Sequence, residues 1–446
     1  FSAEAGLQAG DIIMEINGKD MAQGDRTPNE LTSYVSDNLR GDPGTTCVLK
    51  LERPTADSTY IPMELKITRG TIRTNPVPYY GMVDKNIGYI AISTFAIEGC
   101  SKDIKKALIE LKQQGATSIV LDLRGNGGGL LSEAVNVVNF FVPKGKEIVV
   151  TKGKIKQAGS TYKTSNEPID MEIPLTVLVD GATASAAEIV SGSLQDLDRA
   201  VIVGNRTYGK GLVQVPRELP YNSSMKVTTA KYYIPSGRCI QAIDYAKRNA
   251  DGSVARIPDS LTTVFHTAAG REVRDGGGIR PDVEVKAERF PNIMFYLLND
   301  DMIFDYATQY CIKHPNIGEV KDFSVTDADY DDFKQMLKKR NFTYDRQSEK
   351  SLKNLKEIAE FEGYMEGASE EFAALEKKLT HNLDHELNRF SKQIRKAIAE
   401  EIVKRHYFQR GVILERMKDD ADLTKAIETL KDKEGYTKIL SVPADK

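Results

Sequence analysis

The stretch LTVLVDGATASAAEIVSGS, Leu175 to Ser193, decides the fold. Leu175 to Val179 form a near-continuous apolar run, as expected of a strand covered on both faces of a parallel sheet. Asp180-Gly181 signals a turn, and a helix is predicted from about Ala186. Ser185 therefore falls at a strand-to-helix turn, where a side chain is presented at the edge of a sheet. Alcohol nucleophiles of α/β hydrolases occupy a similar position, although the G-x-S-x-G signature is missing. Serine is also a good N-cap, and the stretch alone leaves both roles open.

Outward from this stretch the same alternation continues. From about Asn86, IGYIAISTF reads as a strand, and Ser101 is expected to cap the helix KDIKKALIELKQQ, which Gly115 stops. TSIVLDL reads as another buried strand, followed by the loop RGNGGG and the helix LLSEAVNVVNFF. Helices packed on a sheet make this an α/β architecture, in which ligands sit where strand ends meet the following helices. Before about Gly70 the pattern is β-rich, with turns at Ala9-Gly10-Asp11 and Asn17-Gly18 and alternating strands in TTCVLKLER and PMELKITRG. Beyond about Arg289 the chain is charged and helical. There Leu383, Leu387, Phe390, Ile394, Ile398 and Ile402 form one apolar stripe. The stripe is expected to pack within the protein, with a surface for another subunit or an adaptor as the alternative.

The composition bounds the function. The chain has 446 residues, 40% hydrophobic and 28% charged, with a net charge of −3. Nothing in that balance points to nucleic acid or an anionic membrane as partner. Cys47, Cys100, Cys239 and Cys311 are widely spaced, so neither a disulfide framework nor a metal site is expected. No apolar run approaches the roughly 18 residues of a membrane span. The chain opens at Phe1, inside a module, with any signal peptide expected upstream.

A second loop, GNRTYGKGLVQVP, contains G-x-x-x-x-G-K at Gly204, Gly209 and Lys210. A phosphate-binding loop requires Ser or Thr after the lysine and a helix starting there. Here Gly211 follows, and GLVQVP reads as a short strand broken at Pro216. No nucleotide is implied. A solvated hairpin lysine is one alternative; a partner for Ser185 is the other. Serine needs a base to act as a nucleophile. Of the five histidines, His314, His381, His385 and His406 lie in the charged tail, and His266 has no acid motif beside it. Lysine can replace histidine where its surroundings favour the neutral amine.

Six stretches then carry a resemblance: GYIAISTF, LDLRGNGGGLL, GATASAAEI, GNRTYGKGLVQ, TTAKYYIPSGRCIQ and GREVRDGGGIRPD. In this order they resemble the carboxyl-terminal processing peptidases, or tail-specific proteases, over roughly residues 1 to 286. The resemblance implies an α/β protein with a partial β-rich PDZ-like domain at 1–72. A serine protease core of the ClpP/crotonase type at 73–288 and a charged helical C-terminal domain at 289–446 would follow. It also implies Ser185 as nucleophile, Lys210 as general base and Gln214 as the residue orienting that lysine. The oxyanion hole would use the N–H groups of Gly128 and Ala186; donors of this kind stabilise developing negative charge. The sequence departs from the family pattern at Gly127, where proline is usual, which leaves the loop more flexible. As a dinucleotide fingerprint the loop fails, because its third glycine would fall at Leu130.

Arg124 and Glu188 flank the two loops and are read as supporting residues, a surface ion pair being the alternative. SAEAGLQAGDIIMEINGKD resembles the second half of a PDZ domain, whose carboxylate-binding loop would precede Phe1. The function implied is a bacterial serine endopeptidase of the periplasm or cell envelope. It would cleave protein or peptide substrates with free C-termini, without cofactor or metal. A catalytically silent peptide-binding scaffold on the same fold is the alternative.

Overall fold

The computed structural model describes residues 1–22, 24–57, 59–154, 159–248, 251–286, 288–379 and 382–441. His381 lies outside the described residues. The chain forms two compact units, Phe1–Ile72 with Glu288–Lys418, and Arg73–Ala287 with Asp419–Lys446. The tail, read from the sequence as one region, thus contributes to both.

The first unit begins with β1 (Ile12–Ile16), β2 (Lys19–Asp20), α1 (Pro28–Leu39), β3 (Thr46–Pro54) and β4 (Tyr60–Thr68). The strands form an antiparallel sheet in the order β2-β1-β3-β4. A capping box of Thr27 and Glu30 starts α1, with Pro28 at its first position, where a proline's missing N–H costs nothing.

The second unit then supplies β5 (Tyr79–Asp84), β6 (Ile87–Ala91), α2 (Cys100–Gln113), β7 (Ser118–Asp122), α3 (Leu131–Val138), β8 (Glu147–Lys152) and β9 (Ser160–Lys163). It continues through β10 (Leu175–Val179), α4 (Ala186–Asp196), β11 (Val201–Gly204), β12 (Leu212–Leu219) and β13 (Ser223–Tyr233). Two short pairs follow, β14 (Ile243–Arg248) with β15 (Val254–Arg256) and β16 (Val264–His266) with β17 (Glu272–Arg274), and then β18 (Val283–Glu284).

The central sheet runs β18-β11-β10-β7-β6-β5, parallel except for β5. Every residue of β6, β7, β10 and β11 is buried, which is why these strands read as near-continuous apolar runs. Ile104, Leu108 and Leu111 of α2 share one core with Ile119, Leu121, Val177, Val179 and Ile202 of the sheet.

Two local expectations are corrected. Ser101 does not cap α2: it lies inside the helix, whose N-cap is Gly99. Glu133 of α3 takes over, accepting the N–H of Gly99 at 3.0 Å and of Ser101 at 2.8 Å. Pro216 does not end its strand either; it pairs with Lys226 in the middle of β12. β12 is the edge of its sheet, β12-β13-β8-β9, and an edge strand tolerates proline because one side of its backbone is unpaired.

The chain returns to the first unit as α5 (Asn292–Asn299), α6 (Met302–Lys313), α7 (Asp327–Lys339), α8 (Gln347–Phe361), α9 (Met365–Leu379), α10 (Leu383–Arg389) and α11 (Ser391–Met417). Leu387, Ile394, Ile398 and Ile402 are buried together with Ile303, Phe333 and Leu337, and Leu383 and Phe390 pack against them. The apolar stripe is the core of this helical region. The second unit is completed by α12 (Ala421–Lys431) and α13 (Lys433–Leu440). Among the described residues no helix is long and apolar enough to cross a membrane.

The Glu133 cap gives a prediction. Burial opposes its charge, but the hydrogen bonds from Ser101 and Gly99 prevail and hold its carboxyl below the usual range. Glu133→Ala leaves those N–H groups unmatched and should cost about 1–3 kcal/mol in thermal unfolding at neutral pH. A carboxyl lowered by folding stabilises above its unfolded value and loses that contribution as pH falls through the folded value. The gap between wild type and variant should therefore narrow below about pH 4.

Candidate active site

Ser185 stands where the sequence places it, between β10 and α4. The turn before it is held from the neighbouring loop. Asp180 accepts the N–H groups of Ala182, Thr183 and Gly125, and the Thr183 hydroxyl donates to Leu123 O at 2.9 Å. Ala184 N–H donates to Asn126 O at 2.9 Å. Ser185 itself has φ 57° and ψ −117°, a conformation that costs a non-glycine residue about 1–3 kcal/mol and persists only where its surroundings dictate it.

What dictates it is Glu188, one turn into α4 and fully buried. Its Oε2 accepts the Ser185 N–H at 2.8 Å and the Lys210 N–H at 2.9 Å. Its Oε1 accepts the Thr207 hydroxyl at 2.5 Å and the Gly209 N–H at 2.7 Å. Burial pushes its carboxyl up, and these four donors work in the opposite direction. One carboxylate thus joins the serine turn to the lysine loop. The alternative to a supporting role, a surface ion pair between Glu188 and Arg124, is not what forms.

Tyr232 closes the other side. Its buried hydroxyl donates to Lys210 O and lies 3.3 Å from Ser185 O. Burial raises the phenol well above its ordinary value, so it stays a donor. The N–H and C=O groups of both Ser185 and Lys210 are therefore held by the same pair of side chains. Neither Tyr232 nor Thr207 was singled out in the sequence. The signal for Tyr232 was weak, an inward position in the alternating strand TTAKYY.

The loop after β11 needs its glycines. Gly209 has φ 85°, and a Cβ there would stand 2.3 Å from the Cβ of Ala242. Lys210 is half-buried, and β12 rather than a helix follows it, so the geometry of a phosphate-binding loop is absent here. Gln214 lies exposed on β12, opposite Thr228 and next to a bulge. No hydrogen bond joins it to Lys210 in this structure.

The glycine loop reaches Ser185 by contact. Gly128 has φ 95°, and a Cβ on it would lie 2.7 Å from Ala184 O, 2.8 Å from Ala186 N and 2.8 Å from Ser185 Cβ. Its N–H, expected to face a substrate oxyanion, instead donates to Asn126 Oδ1 at 2.8 Å. Asn126 is completely buried and anchored by its own bond to Ile92 O, so it competes for that amide. Ala186 opens α4, and the first N–H groups of a helix have no intrahelical acceptor.

Arg124 precedes this loop and is mostly buried. Its guanidinium contacts Asp122 at 2.6 Å, Asp420 at 2.7 Å and Asp422 at 3.1 Å. Burial opposes its charge, but the neighbouring carboxylates outweigh that and hold it more firmly protonated than usual. Among the described residues no group of three or more His, Cys, Asp or Glu side chains is placed to hold a metal ion.

Residues 86–247 match peptidase family S41, and residues 293–430 match the C-terminal helical domain of a probable PDZ-protease. The chain is 38% identical over 248 residues to a carboxy-terminal-processing protease of Bartonella bacilliformis, covering 54% of each chain. It is 38% identical over 234 residues to a carboxyl-terminal-processing protease of Picosynechococcus, covering 52% of this chain and 53% of that one. A solved photosystem II D1 C-terminal processing protease is similar at 29% identity and TM-score 0.36, covering 65% of this chain and 67% of that one. Residues 86–247 are thus similar to peptidase family S41, and the curated relatives matched are carboxyl-terminal processing proteases. It spans about half the length of the curated relatives it matches.

Glu188→Gln keeps the shape but turns an acceptor into an NH₂ group facing N–H donors. It should destabilise the second unit by about 1–3 kcal/mol. Hydrogen exchange should rise at the amides of Ser185, Gly209 and Lys210 and stay unchanged in β6; equal protection at the three amides in both proteins would contradict the shared anchor.

Proposed function

We propose that this chain is a serine endopeptidase that cleaves proteins near their C-termini by acyl transfer from a Ser185–Lys210 dyad. The observation that carries the reading is the joint hold of Glu188 and Tyr232 on the backbones of Ser185 and Lys210. A nucleophile and its base must keep a fixed relation, and positioning of this kind accounts for a large share of catalytic rate. Ser185 Oγ attacks the scissile carbonyl carbon and its proton passes to Lys210 Nζ. The tetrahedral oxyanion is stabilised by Ala186 N–H and by a donor of the glycine loop. Collapse breaks the C–N bond, and the leaving amine takes the proton from Lys210. Water then attacks the acyl-enzyme with Lys210 accepting its proton, and collapse breaks the ester C–Oγ bond as Lys210 returns that proton to Ser185.

Two roles require movement from the observed state. Gly128 becomes the second oxyanion donor when its amide turns from Asn126 toward the substrate. Gln214 orients Lys210 when the β12–β13 hairpin brings it inward. The engaged Gly128 amide is also the observation favouring the second reading, a catalytically silent peptide-binding scaffold. The β-rich module at 1–72 is assigned as a PDZ-like reader of substrate C-termini, and the enzyme to the periplasm or cell envelope. Substrates are proteins or peptides with free C-termini.

An acylating serine probe separates the readings. The wild type should be labelled stoichiometrically at Ser185, and Ser185→Ala not at all, with unchanged folding. Lys210→Arg should be as inactive as Lys210→Ala in peptide cleavage, because arginine stays protonated and cannot accept the serine proton. An active Lys210→Arg enzyme would remove lysine as the base, and an unlabelled wild type would favour the scaffold.

The C-terminus reader makes a separate prediction, since such modules grip a terminal carboxylate together with main-chain pairing. Protein substrates ending in a free carboxylate should be cleaved faster than the same substrates amidated. Equal rates would remove C-terminal recognition.

A further inference from the structure

The last helical segment of the chain is anchored on the catalytic loops. α12 begins at Asp420, whose Oδ1 caps the helix by accepting the Leu423 N–H at 3.0 Å. The same carboxylate forms a two-point fork with Arg124, Nη1 to Oδ1 at 2.9 Å and Nη2 to Oδ2 at 2.7 Å. Asp422 takes a second contact from Nη1 at 3.1 Å. On its other side Arg124 is gripped by Asp122, through Nε at 3.0 Å and Nη2 at 2.6 Å, and its backbone N–H donates to the same carboxylate at 2.9 Å. Tyr89 in turn donates to Asp122 at 2.6 Å. Each nitrogen of the guanidinium has a carboxylate partner, an arrangement that fixes its plane as well as its position.

The consequence lies one residue further on. Arg124 is followed directly by the loop 125–129, whose Gly125 N–H binds Asp180 and whose Gly128 abuts Ser185. The rest of the segment runs along the strand that delivers the nucleophile. Leu423, Ala426 and Leu430 are buried, and α12 packs on β10 and β7. Tyr436 of α13 accepts the Leu175 N–H at 3.0 Å and faces Leu175 O at 3.1 Å. Lys431 pairs with Asp84 at 2.6 Å.

We propose that Asp420 and Asp422 are positioning residues for the reaction: through Arg124 they fix the start of the glycine loop, so that the loop's backbone donors meet an oxyanion formed on Ser185. The inference rests on the peptidase reading above. It makes the start of α12 a working part of the active site, although neither carboxylate touches substrate. It also gives the long return of the chain to the second unit a function beyond burial of apolar surface.

The test uses the full chain carrying Asp420→Asn with Asp422→Asn, and Asp422→Asn alone, which keeps the fork to Asp420. Lys431→Ala serves as control, because it breaks a contact of the same helix away from Arg124. In the double variant kcat should fall about 10- to 100-fold, the range expected when a group is misplaced by about an ångström. KM should stay within roughly twofold of wild type, since no binding contact is removed. Hydrogen exchange should rise at 125–129 and not in β10 or α4. The single variant should move the same way by less, and Lys431→Ala should alter neither readout. Wild-type kcat and loop exchange in the folded double variant would overturn the proposal. So would an equal rise in exchange across the whole second unit, which would make the segment a stability element only. Failure of the peptidase reading is distinguishable: the wild type would then neither cleave nor acylate, while the exchange pattern would still report on the clasp.

Discussion

The arrangement depends on a buried carboxylate, Glu188, whose partners among the described residues are hydrogen-bond donors rather than an ion pair. Taking an ion out of water costs several kcal/mol unless hydrogen bonds replace the lost hydration. Glu188 is matched by four donors, which come from two separate loops. Neither loop alone satisfies it. The serine turn and the lysine loop are therefore ordered together, and the burial of Glu188 makes their separation unfavourable. Tyr232 acts in the same sense on the carbonyl side, where its hydroxyl brings together two acceptors that would otherwise repel each other.

From this anchor follow the strained features. Ser185 holds a positive φ because its N–H is tied back to Glu188 and its preceding residues are tied to the glycine loop. Gly128 is required because its Cα touches the serine turn where a Cβ would overlap three backbone or side-chain atoms. Thr207 extends the link outward, since its hydroxyl also accepts the Ile279 N–H at 2.7 Å. That contact reaches the GGGIRPD stretch, so a motif distant in sequence supports the lysine loop from behind. The Gly128 amide itself is committed to Asn126 in this structure.

The strands and helices of the core were legible because their burial is uniform. β7 and β10 are buried throughout and largely apolar, and the helix after Ser185 follows a clear turn signal. Ser185 and Lys210 were legible as a pair through motif resemblance, whereas Glu188 was recognisable only as a nearby polar residue. Its true partners are backbone N–H groups, which leave no trace in residue identity. The same holds for Gly128: the sequence shows a glycine able to approach, but not the direction of its amide, which Asn126 determines. Ser101 misled because a serine at a helix start is a good cap locally, while Glu133 from another helix outcompetes it. The bulge between Val213 and Gln214 decides which face of β12 each residue takes, a backbone detail that residue identity does not encode. The contact of Asp420 with Arg124 spans 296 positions, and no periodicity or motif encodes such a pairing.

The most direct test of the shared anchor is a double-mutant cycle on the rate at which an acylating probe modifies Ser185. Wild type, Glu188→Gln, Lys210→Ala and the double variant are compared. If Glu188 acts by holding the lysine loop against the serine turn, its removal matters little once Lys210 is gone. The double variant should then react about as slowly as Lys210→Ala alone, and Glu188→Gln by itself should be markedly slow. If the two losses multiply, or if Glu188→Gln is acylated at the wild-type rate, the carboxylate does not couple nucleophile and base.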